Sequence, residues 1–372
     1  MNDNKTSKNS IVAKFAVPIS FLILFFLAAN FTDCDLVTFW KRRSHLTDLV
    51  VDMIPPDFSY IQKILLPLFY TIQMSVTGTV LGIFFALVLS PFGAANLGFP
   101  AVIRRILRIV IQILRSFPAL ILALTATFLF GLGTFAGTFA ITLYTFAIMT
   151  KLTYEDASAA DVKAYQALRA MGVSKYVAYI HGILPEIIPG FLTNALYLLE
   201  TNVRHSSILG YVGAGGIGLL LNEKISWLEY DKVGTILLML FLTVCVIEYF
   251  SRYLAALIRK ERTIKKEQAR LLILFLAALF LICTFTLSLP DFSRTSPQTL
   301  RNMFAGFLQP DWSFFFSAEK DGLGYLLLET VCIAFIGTVI GAIVSAPLAF
   351  LNTKRFVPRS EEHTSELQSR IT

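Results

Sequence analysis

The glycine-rich stretch at residues 213–218 has residue types and a spacing that could bind a nucleotide cofactor. Gly213-Ala214-Gly215-Gly216-Ile217-Gly218 matches the G-x-G-x-x-G pattern of loops that hold the pyrophosphate of a dinucleotide. Such a loop needs a buried strand before it, a helix after it and an acidic residue about 20 positions further on. Asp231 lies near that distance. An NAD-dependent dehydrogenase using Gly213–Gly218 is therefore one hypothesis.

The composition favours a membrane protein. Of the 372 residues, 55% are hydrophobic and 15% are charged, whereas a soluble domain has about 25% charged residues. Several apolar runs are long enough to cross a hydrocarbon core of about 30 Å as helices. They predict an all-α polytopic membrane protein with about eight transmembrane helices. The runs are residues 11–29, 64–89, 111–130, 133–149, 187–199, 233–258, 271–289 and 326–350.

The basic residues indicate how the chain crosses the membrane. With a cytoplasmic N-terminus, most arginines and lysines fall in loops on the cytoplasmic side, including the dense basic run at residues 259–270. The positive-inside rule therefore predicts a multi-pass protein of the cell membrane with its N-terminus in the cytoplasm. The net charge of +7 then reflects topology, and we expect no nucleic acid as a partner. The same orientation places residues 213–218 outside, which opposes a membrane-bound dehydrogenase.

No group of catalytic or metal-binding residues stands out. The four cysteines and four histidines are scattered, without C-x-x-C spacing and without a Ser/His/Asp or paired-carboxylate arrangement. We therefore predict that this chain is not an enzyme and has no catalytic residue and no metal site.

Two parts of the sequence resemble each other. Residues 71–82, TIQMSVTGTVLG, are similar to residues 330–341, TVCIAFIGTVIG, and residues 46–59 and 300–313 share a polar Pro-Asp-aromatic-Ser stretch. This repeat predicts two homologous membrane domains in tandem, at 1–262 and at 263–358, with the second truncated. The tail at 359–372 resembles a peptide encoded by a sequencing-library adapter, so we interpret it as an artefact.

The longest loop on the basic side is residues 151–190. Good helix formers run from Asp161 to Met171, Gly172 is a natural C-terminal stop, and a second helical stretch, residues 175–181, precedes Pro185. Two short helices set against the membrane face predict a docking platform.

This loop resembles that of the membrane subunits of ABC importers, in which Glu-Ala-Ala is followed after three residues by Gly and then by Ile-x-Leu-Pro. The matching residues are Gln166, Ala167, Leu168, Gly172, Leu184 and Pro185. Gln166 departs from the usual acid, Leu168 from Ala, and Gly182 from Ile. The resemblance implies that the loop inserts into a cleft of an ATP-binding cassette subunit and that an external solute-binding protein is a second partner. Because no Walker A motif occurs, we expect no cofactor in this chain, with ATP bound by the separate subunit.

Two further stretches narrow the resemblance to the phosphonate-importer branch. Arg115-Ser116-Phe117-Pro118 resembles the Arg-Ser-x-Pro opening of a family helix. Asn202-Val203-Arg204 precedes the glycine-rich stretch, as in phosphonate permeases. The resemblance implies import of a small anion, with phosphonate favoured. Methionine, phosphate or phosphite remain alternatives, and so does a structural membrane scaffold without a transport role.

The glycines then have a different predicted role. Small residues let membrane segments approach closely, so we expect a tight re-entrant turn at the outer mouth of a translocation path, and Asn202 and Arg204 beside it. An arginine at membrane depth is costly and could attract an anion. Glu200, four residues earlier on the same helical face, offers the alternative that Arg204 only forms an ion pair. The predicted path and gate residues are Asn202, Arg204, Gly213, Gly215, Gly216 and Gly218.

Overall fold

The computed structural model describes residues 20–34, 36–260, 265–289, 301–302, 305–306, 309, 312–317 and 322–352. Within these ranges every regular element is a helix, which confirms the predicted all-α class. The chain divides into two compact units. One combines Met1–Leu46 with Ala305–Thr372, and the other is Thr47–Phe304. The predicted domain boundary between residues 262 and 263 stays a prediction.

The helices account for most of the predicted spans. Five described helices are long and apolar enough to cross a membrane, or up to seven if each of two bent pairs is one span. The first predicted run, 11–29, lies partly outside the described residues, and its described part belongs to a shorter apolar helix. The helices are α1 (Ser20–Phe31), α2 (Leu36–Lys41), α3 (Arg43–Asp52), α4 (Ile61–Gly93), α5 (Ala101–Ser116), α6 (Ala119–Phe130), α7 (Thr134–Ala159), α8 (Lys163–Ala170), α9 (Lys175–Gly182), α10 (Leu184–Leu209), α11 (Ile217–Ser226), α12 (Tyr230–Ile258), α13 (Lys266–Phe285), α14 (Trp312–Phe315) and α15 (Leu323–Asn352).

Two of the predicted spans differ from the observed helices. The run at 111–130 is broken between α5 and α6, which meet at a bend of 94°. Phe117 is extended there, with ψ 126°, because the following Pro118 disfavours helical backbone before it. The run at 187–199 belongs to the longer α10, which tolerates Pro185 because its first turn leaves backbone N–H groups unpaired in any case.

The centre of the larger unit is the pair α4 and α7, which approach closely at two glycines. A Cβ on Gly78 would lie 2.8 Å from Cγ2 of Ile141, and one on Gly82 would lie 2.7 Å from Cβ of Thr145. Glycines four residues apart are the usual means by which two membrane helices bring their backbones together. Any larger side chain at either position would force the two helices apart.

Helix α13 is joined to this centre by one buried amide. The Nε2 of Gln73 donates to the carbonyl oxygen of Cys283 at 3.0 Å and to the hydroxyl of Thr286 at 2.8 Å. The Cys283 carbonyl is in the last turn of α13, where backbone acceptors have no partner within the helix. Burying either the Gln73 amide nitrogen or the Cys283 carbonyl without a partner would be costly, and the hydrogen bond between them removes that cost.

In the smaller unit, α1 packs along α15 through aromatic rings. The ring centroids of Phe21 and Phe335 are 5.0 Å apart, and those of Phe31 and Tyr325 are 4.8 Å apart. Such contacts at both ends of α1 align it along α15.

Candidate functional site

The predicted docking loop forms a helical hairpin, α8 and α9, which we name the coupling platform (residues 163–182). Gly172 joins the two helices with φ +86°, and no atom lies within 4 Å of where its Cβ would stand. Glycine is therefore favoured there by backbone conformation and not by lack of space. The carboxylate of Asp161 accepts from the backbone N–H of Lys163 at 2.9 Å, and hydrogen bonds from Lys163 hold the pKa of this carboxyl below the usual range.

The coupling platform is fastened to the loop between α4 and α5. The hydroxyl of buried Tyr165 donates to the carbonyl oxygen of Leu97 at 2.6 Å, and the ammonium of Lys175 donates to the carbonyl oxygen of Gly98. A Cβ on Gly182 would lie 2.8 Å from the backbone nitrogen of Tyr165, so glycine lets the two helices touch. The sequence pattern did not reveal these fastening residues, because their partners are backbone carbonyls far away along the chain.

The predicted coupling residues have different surroundings. Gln166 and Ala167 are exposed on α8, and Met171, directly after this helix, has 71% of its surface accessible. Leu168 and Leu184 are partly buried against the core around Tyr165. A partner that docks on the platform would therefore meet the exposed end of α8 first.

The glycine turn, residues 210–218, is packed too tightly to hold a nucleotide. Cβ atoms on Gly213 and Gly216 would lie 2.3 Å from Leu132 and 2.6 Å from the Thr71 hydroxyl. That hydroxyl accepts from the backbone N–H of Ile217 at 2.8 Å, so it caps α11. The turn follows α10 and not a strand. The N-terminus of α11, which would have to face a pyrophosphate, is instead hydrogen-bonded to Thr71. The conditions for a dinucleotide loop are absent here.

Asn202 lies at the centre of a buried polar network. Its Nδ2 donates to the hydroxyls of Thr79 and Thr145, both at 2.8 Å. One turn further along, the hydroxyls of Ser75 and Ser206 are 2.9 Å apart. These contacts join α4, α7 and α10, and Asn202 has no accessible surface. Sequence reasoning missed the partners, although Thr71, Ser75 and Thr79 recur at the four-residue spacing of one helix face.

Arg204 faces the opposite way. Its side chain is 51% exposed and pairs with Glu200, whose side chain is 14% exposed. The adjacent His205 is partly buried, with its ring centroid 5.2 Å from that of Tyr144. Both possibilities left open by the sequence are therefore compatible with the geometry, because Arg204 has a carboxylate partner and also an open side.

A cluster that the sequence did not indicate surrounds Lys224 at the end of α11. The Nζ of Lys224 lies 2.9 Å from a carboxylate oxygen of Glu229 and 3.1 Å from one of Glu223, and 4.1 Å from the centre of the Trp227 ring. Burial lowers the pKa of Lys224, but the contacts with Glu229 and Glu223 outweigh it and raise this pKa above the usual range. Contacts with Lys232 and Lys224 lower the pKa of Glu229.

The coupling platform and the glycine turn lie at opposite ends of the same helices. Thr71, near the start of α4, packs against Gly216 of the glycine turn. Gly93 is at the other end of α4, and the loop after it accepts hydrogen bonds from the coupling platform. Thr71 and Gly93 are separated by about 33 Å of helix, which is close to the thickness of a hydrocarbon core. On α7, Thr134 lies beside Gly215, while the carbonyl of Ala157 at the other end accepts from Asn96.

The chain is similar to known transport proteins. Residues 78–263 match the model of the family described as binding-protein-dependent transport system inner membrane component. The phosphite transport system permease protein PtxC of Stutzerimonas stutzeri is 31% identical over 217 residues, 58% of this chain and 79% of that protein. The phosphate-import permease protein PhnE of Mycolicibacterium smegmatis is 32% identical over 203 residues, 54% of this chain and 38% of that protein.

Among solved structures, an inward-facing MetNI methionine ABC transporter is similar, with 20% identity, a TM-score of 0.48 and coverage of 54% of this chain and 99% of that one. The relatives are transport permeases. Members of the matched family work with an ATP-binding subunit and a substrate-binding protein, and these are the partners of this chain. The chain belongs to the family of inner membrane components of binding-protein-dependent transport systems.

Proposed function

We propose that this chain forms the translocation pathway of an ATP-driven importer for a small phosphorus oxyanion, phosphonate or phosphite. The observation that carries the proposal is Arg204, a half-exposed cation in the last two turns of the apolar helix α10, close to the glycine turn. A guanidinium at that depth is costly unless it serves a partner or a solute, and its planar donors match a tetrahedral oxyanion. The relatives named for phosphite and phosphate transport support the same substrate class.

We further propose that the coupling platform receives the ATP-binding subunit, which alone binds ATP. The exposed surfaces of Gln166, Ala167 and Met171 offer the contact. The bonds from Tyr165 and Lys175 to the α4–α5 loop offer the route by which a push on α8 reaches the membrane helices.

The glycine turn is then a gate element at the outer end, and the N-terminus is cytoplasmic. The distribution of basic residues supports this orientation, because Arg104, Arg105 and Arg108 lie on α5, at the same end as the coupling platform. Tight packing of Gly213 and Gly216 against neighbouring helices suits an element that must seal a path and move as a unit.

Two tandem copies of one permease domain remain part of the proposal. Helix α15 carries the glycine pair Gly337 and Gly341 at the positions that match Gly78 and Gly82 in α4. Among the described residues, no atom outside α15 lies within 4 Å of either glycine's Cβ position. The same glycine spacing in two separate apolar helices supports a repeated helix-packing motif.

The test is solute uptake by the transporter reconstituted in liposomes with its ATP-binding subunit and solute-binding protein. We expect ATP-dependent uptake of methylphosphonate or phosphite, and a loss of most of it in Arg204→Gln. Arg204→Lys should keep part of the uptake, because it retains the charge while losing the two-pronged contact. Preferred uptake of methionine, unaffected by Arg204→Gln, would contradict the proposed substrate class.

A further inference from the structure

The carboxylate of Glu200 occupies the place where an anionic solute would meet Arg204. We propose that Glu200 is a built-in substitute anion: it neutralises Arg204 in the empty transporter and is displaced by the oxyanion of the solute. This inference rests on the proposed function and assigns to Glu200 a role in setting how tightly the solute is held.

Position along α10 gives the first step of the argument. Tyr197, Arg204 and Ile208 form what we name the open face of α10, with Tyr197 63% and Ile208 53% exposed. At 100° per residue these positions differ by no more than about 40° around the helix. A tyrosine and an arginine on one side of a membrane-crossing segment are unsuited to hydrocarbon, so this face lines protein or a water-filled path.

The asymmetry between the two ionic groups gives the second step. Glu200 is mostly covered, at 14% exposure, while half of Arg204 remains open. One carboxylate uses at most two of the five N–H donors of a guanidinium, so Arg204 keeps donors directed away from Glu200. A solute can therefore approach Arg204 from the open face while the ion pair is still in place.

Chemical equivalence gives the third step. A carboxylate and a phosphonate both present two oxygens to a guanidinium in the same planar arrangement. An unpaired arginine at this depth would be costly between transport events, and Glu200 removes that cost. It must also weaken solute binding by competing for the same donors. A path needs such weakening, because a solute that is held too tightly does not leave.

Further polar groups lie near Arg204, where a solute that displaced Glu200 would bind. The ring of His205, next to Arg204, stacks edge-on against that of Tyr144, and its Nδ1 is buried without a hydrogen-bond partner. A tetrahedral oxyanion at Arg204 thus has further polar groups within the same region, whereas Glu200 engages only the guanidinium.

The experiment measures the concentration dependence of methylphosphonate and phosphite uptake in the complete reconstituted transporter. Glu200→Gln removes the competing charge while keeping the size of the side chain. We expect the KM to fall about two- to fivefold, the range for losing one partly exposed ionic competitor. We also expect kcat to fall, because release slows. In the Arg204→Gln background the same change should have no further effect.

A matched control is available on α12. Glu248 and Arg252 form a pair with the same four-residue spacing, and the side chain of Arg252 is 77% exposed. Glu248→Gln should leave both KM and kcat unchanged. Size-exclusion profiles and copurification of the ATP-binding subunit report whether each variant is folded and assembled, and Glu200→Ala provides a second variant without the carboxylate.

The outcomes separate this inference from the proposed function. A raised KM or an unchanged KM in both folded Glu200 variants would overturn the substitute-anion role and leave a structural ion pair. Absence of phosphonate and phosphite uptake by the unaltered transporter would overturn the proposed function itself. A lowered KM for these oxyanions, with no change for Glu248→Gln, supports both.

Discussion

Gly78 and Gly82 illustrate how single residues decide helix packing in this protein. The sequence offers G-x-x-x-G in both α4 and α15. Among the described residues, the close helix contact expected of this pattern is found at the pair in α4 and not at the pair in α15. Sequence could predict the capacity for contact from residue size. It could not identify Ile141 and Thr145 as the neighbours, because that depends on which helix packs against α4.

Leucine substitutions at Gly78 and at the matching Gly337 should have unequal effects. Gly78→Leu places a side chain against Ile141 and should destabilise the fold by about 1–3 kcal/mol, the usual range for overpacking. Gly337→Leu, at the matching but open position, should change little. Thermal unfolding of both variants in detergent measures the difference. Equal destabilisation would contradict the close packing of α4 and α7.

Asn202 and Arg204 show what residue spacing can and cannot reveal. Two positions apart on a helix, they point about 200° from each other, although the sequence analysis placed both beside one translocation path. The structure buries Asn202 and exposes Arg204 accordingly. The role of Asn202 in joining three helices could not be predicted, because its partners Thr79 and Thr145 are distant in the chain.

Leu228 has a left-handed backbone, with φ +58°, at the end of α11. Glycine is the usual residue at this position, since other side chains cost about 1 kcal/mol there. Its side chain is 68% exposed, so little packing is lost on removal. Leu228→Gly should therefore raise the midpoint of thermal unfolding. Leu219→Gly, also exposed but within α11, should lower it, and a fall in both variants would contradict the strain assignment.

At the scale of elements, the turn between α11 and α12 depends on ionised carboxylates. Lys232 and Lys224 hold the pKa of Glu229 below its usual range. A lowered pKa means that the folded state favours the charged form, so this stabilisation is present at neutral pH. It is lost as the pH falls through the lowered pKa.

Glu229→Gln should accordingly be less stable than the unaltered chain at neutral pH. The difference should shrink as the pH falls below the ordinary range for a glutamate and vanish below the lowered pKa, where both proteins carry an uncharged side chain. Thermal unfolding at a series of pH values measures this difference. A difference that stays constant down to that acidic range would show that the charge of Glu229 does not stabilise the turn.

The coupling platform was the element best anticipated by the sequence. Local helix propensity predicted its two helices, and capping rules predicted the stop at Gly172. The break between α5 and α6 was not anticipated, because a hydropathy run through Phe117 and Pro118 does not register the direction of the backbone. The fastening by Tyr165 and Lys175 depends on tertiary contacts that propensity does not contain.

Gly172→Val should uncouple the platform without removing the protein from the membrane. A β-branched residue is strained at φ +86° although space is available. Gly172→Asn is the control, since asparagine tolerates this conformation better than other residues. ATP-driven uptake should fall strongly in the valine variant and only slightly in the asparagine variant. Unchanged uptake in both would remove this turn from the mechanism.

At the scale of the whole chain, composition predicted the membrane location and the all-helical class, and family matches agree with both. The repeat, the exact number of crossings and the direction of insertion remain predictions. These features depend on how distant segments pair and on how the chain lies in a bilayer. The hydropathy of a single apolar run contains neither kind of information.

The separation of the coupling platform from the glycine turn is the arrangement on which the whole account depends. It is tested with single cysteines in a background without the native ones, at Met171 directly after α8 and at Tyr211 in the glycine turn, both of which are exposed. These positions avoid Gly213, where a side chain would collide with Leu132. The measurement is labelling by a membrane-impermeant maleimide, added to intact cells and to inside-out vesicles.

We predict that Tyr211→Cys reacts from outside the cell and Met171→Cys only from the cytoplasmic side. Reaction of both cysteines from the same side would contradict the account, since a loop that receives the ATP-binding subunit and a gate that receives the solute cannot share one face of the membrane.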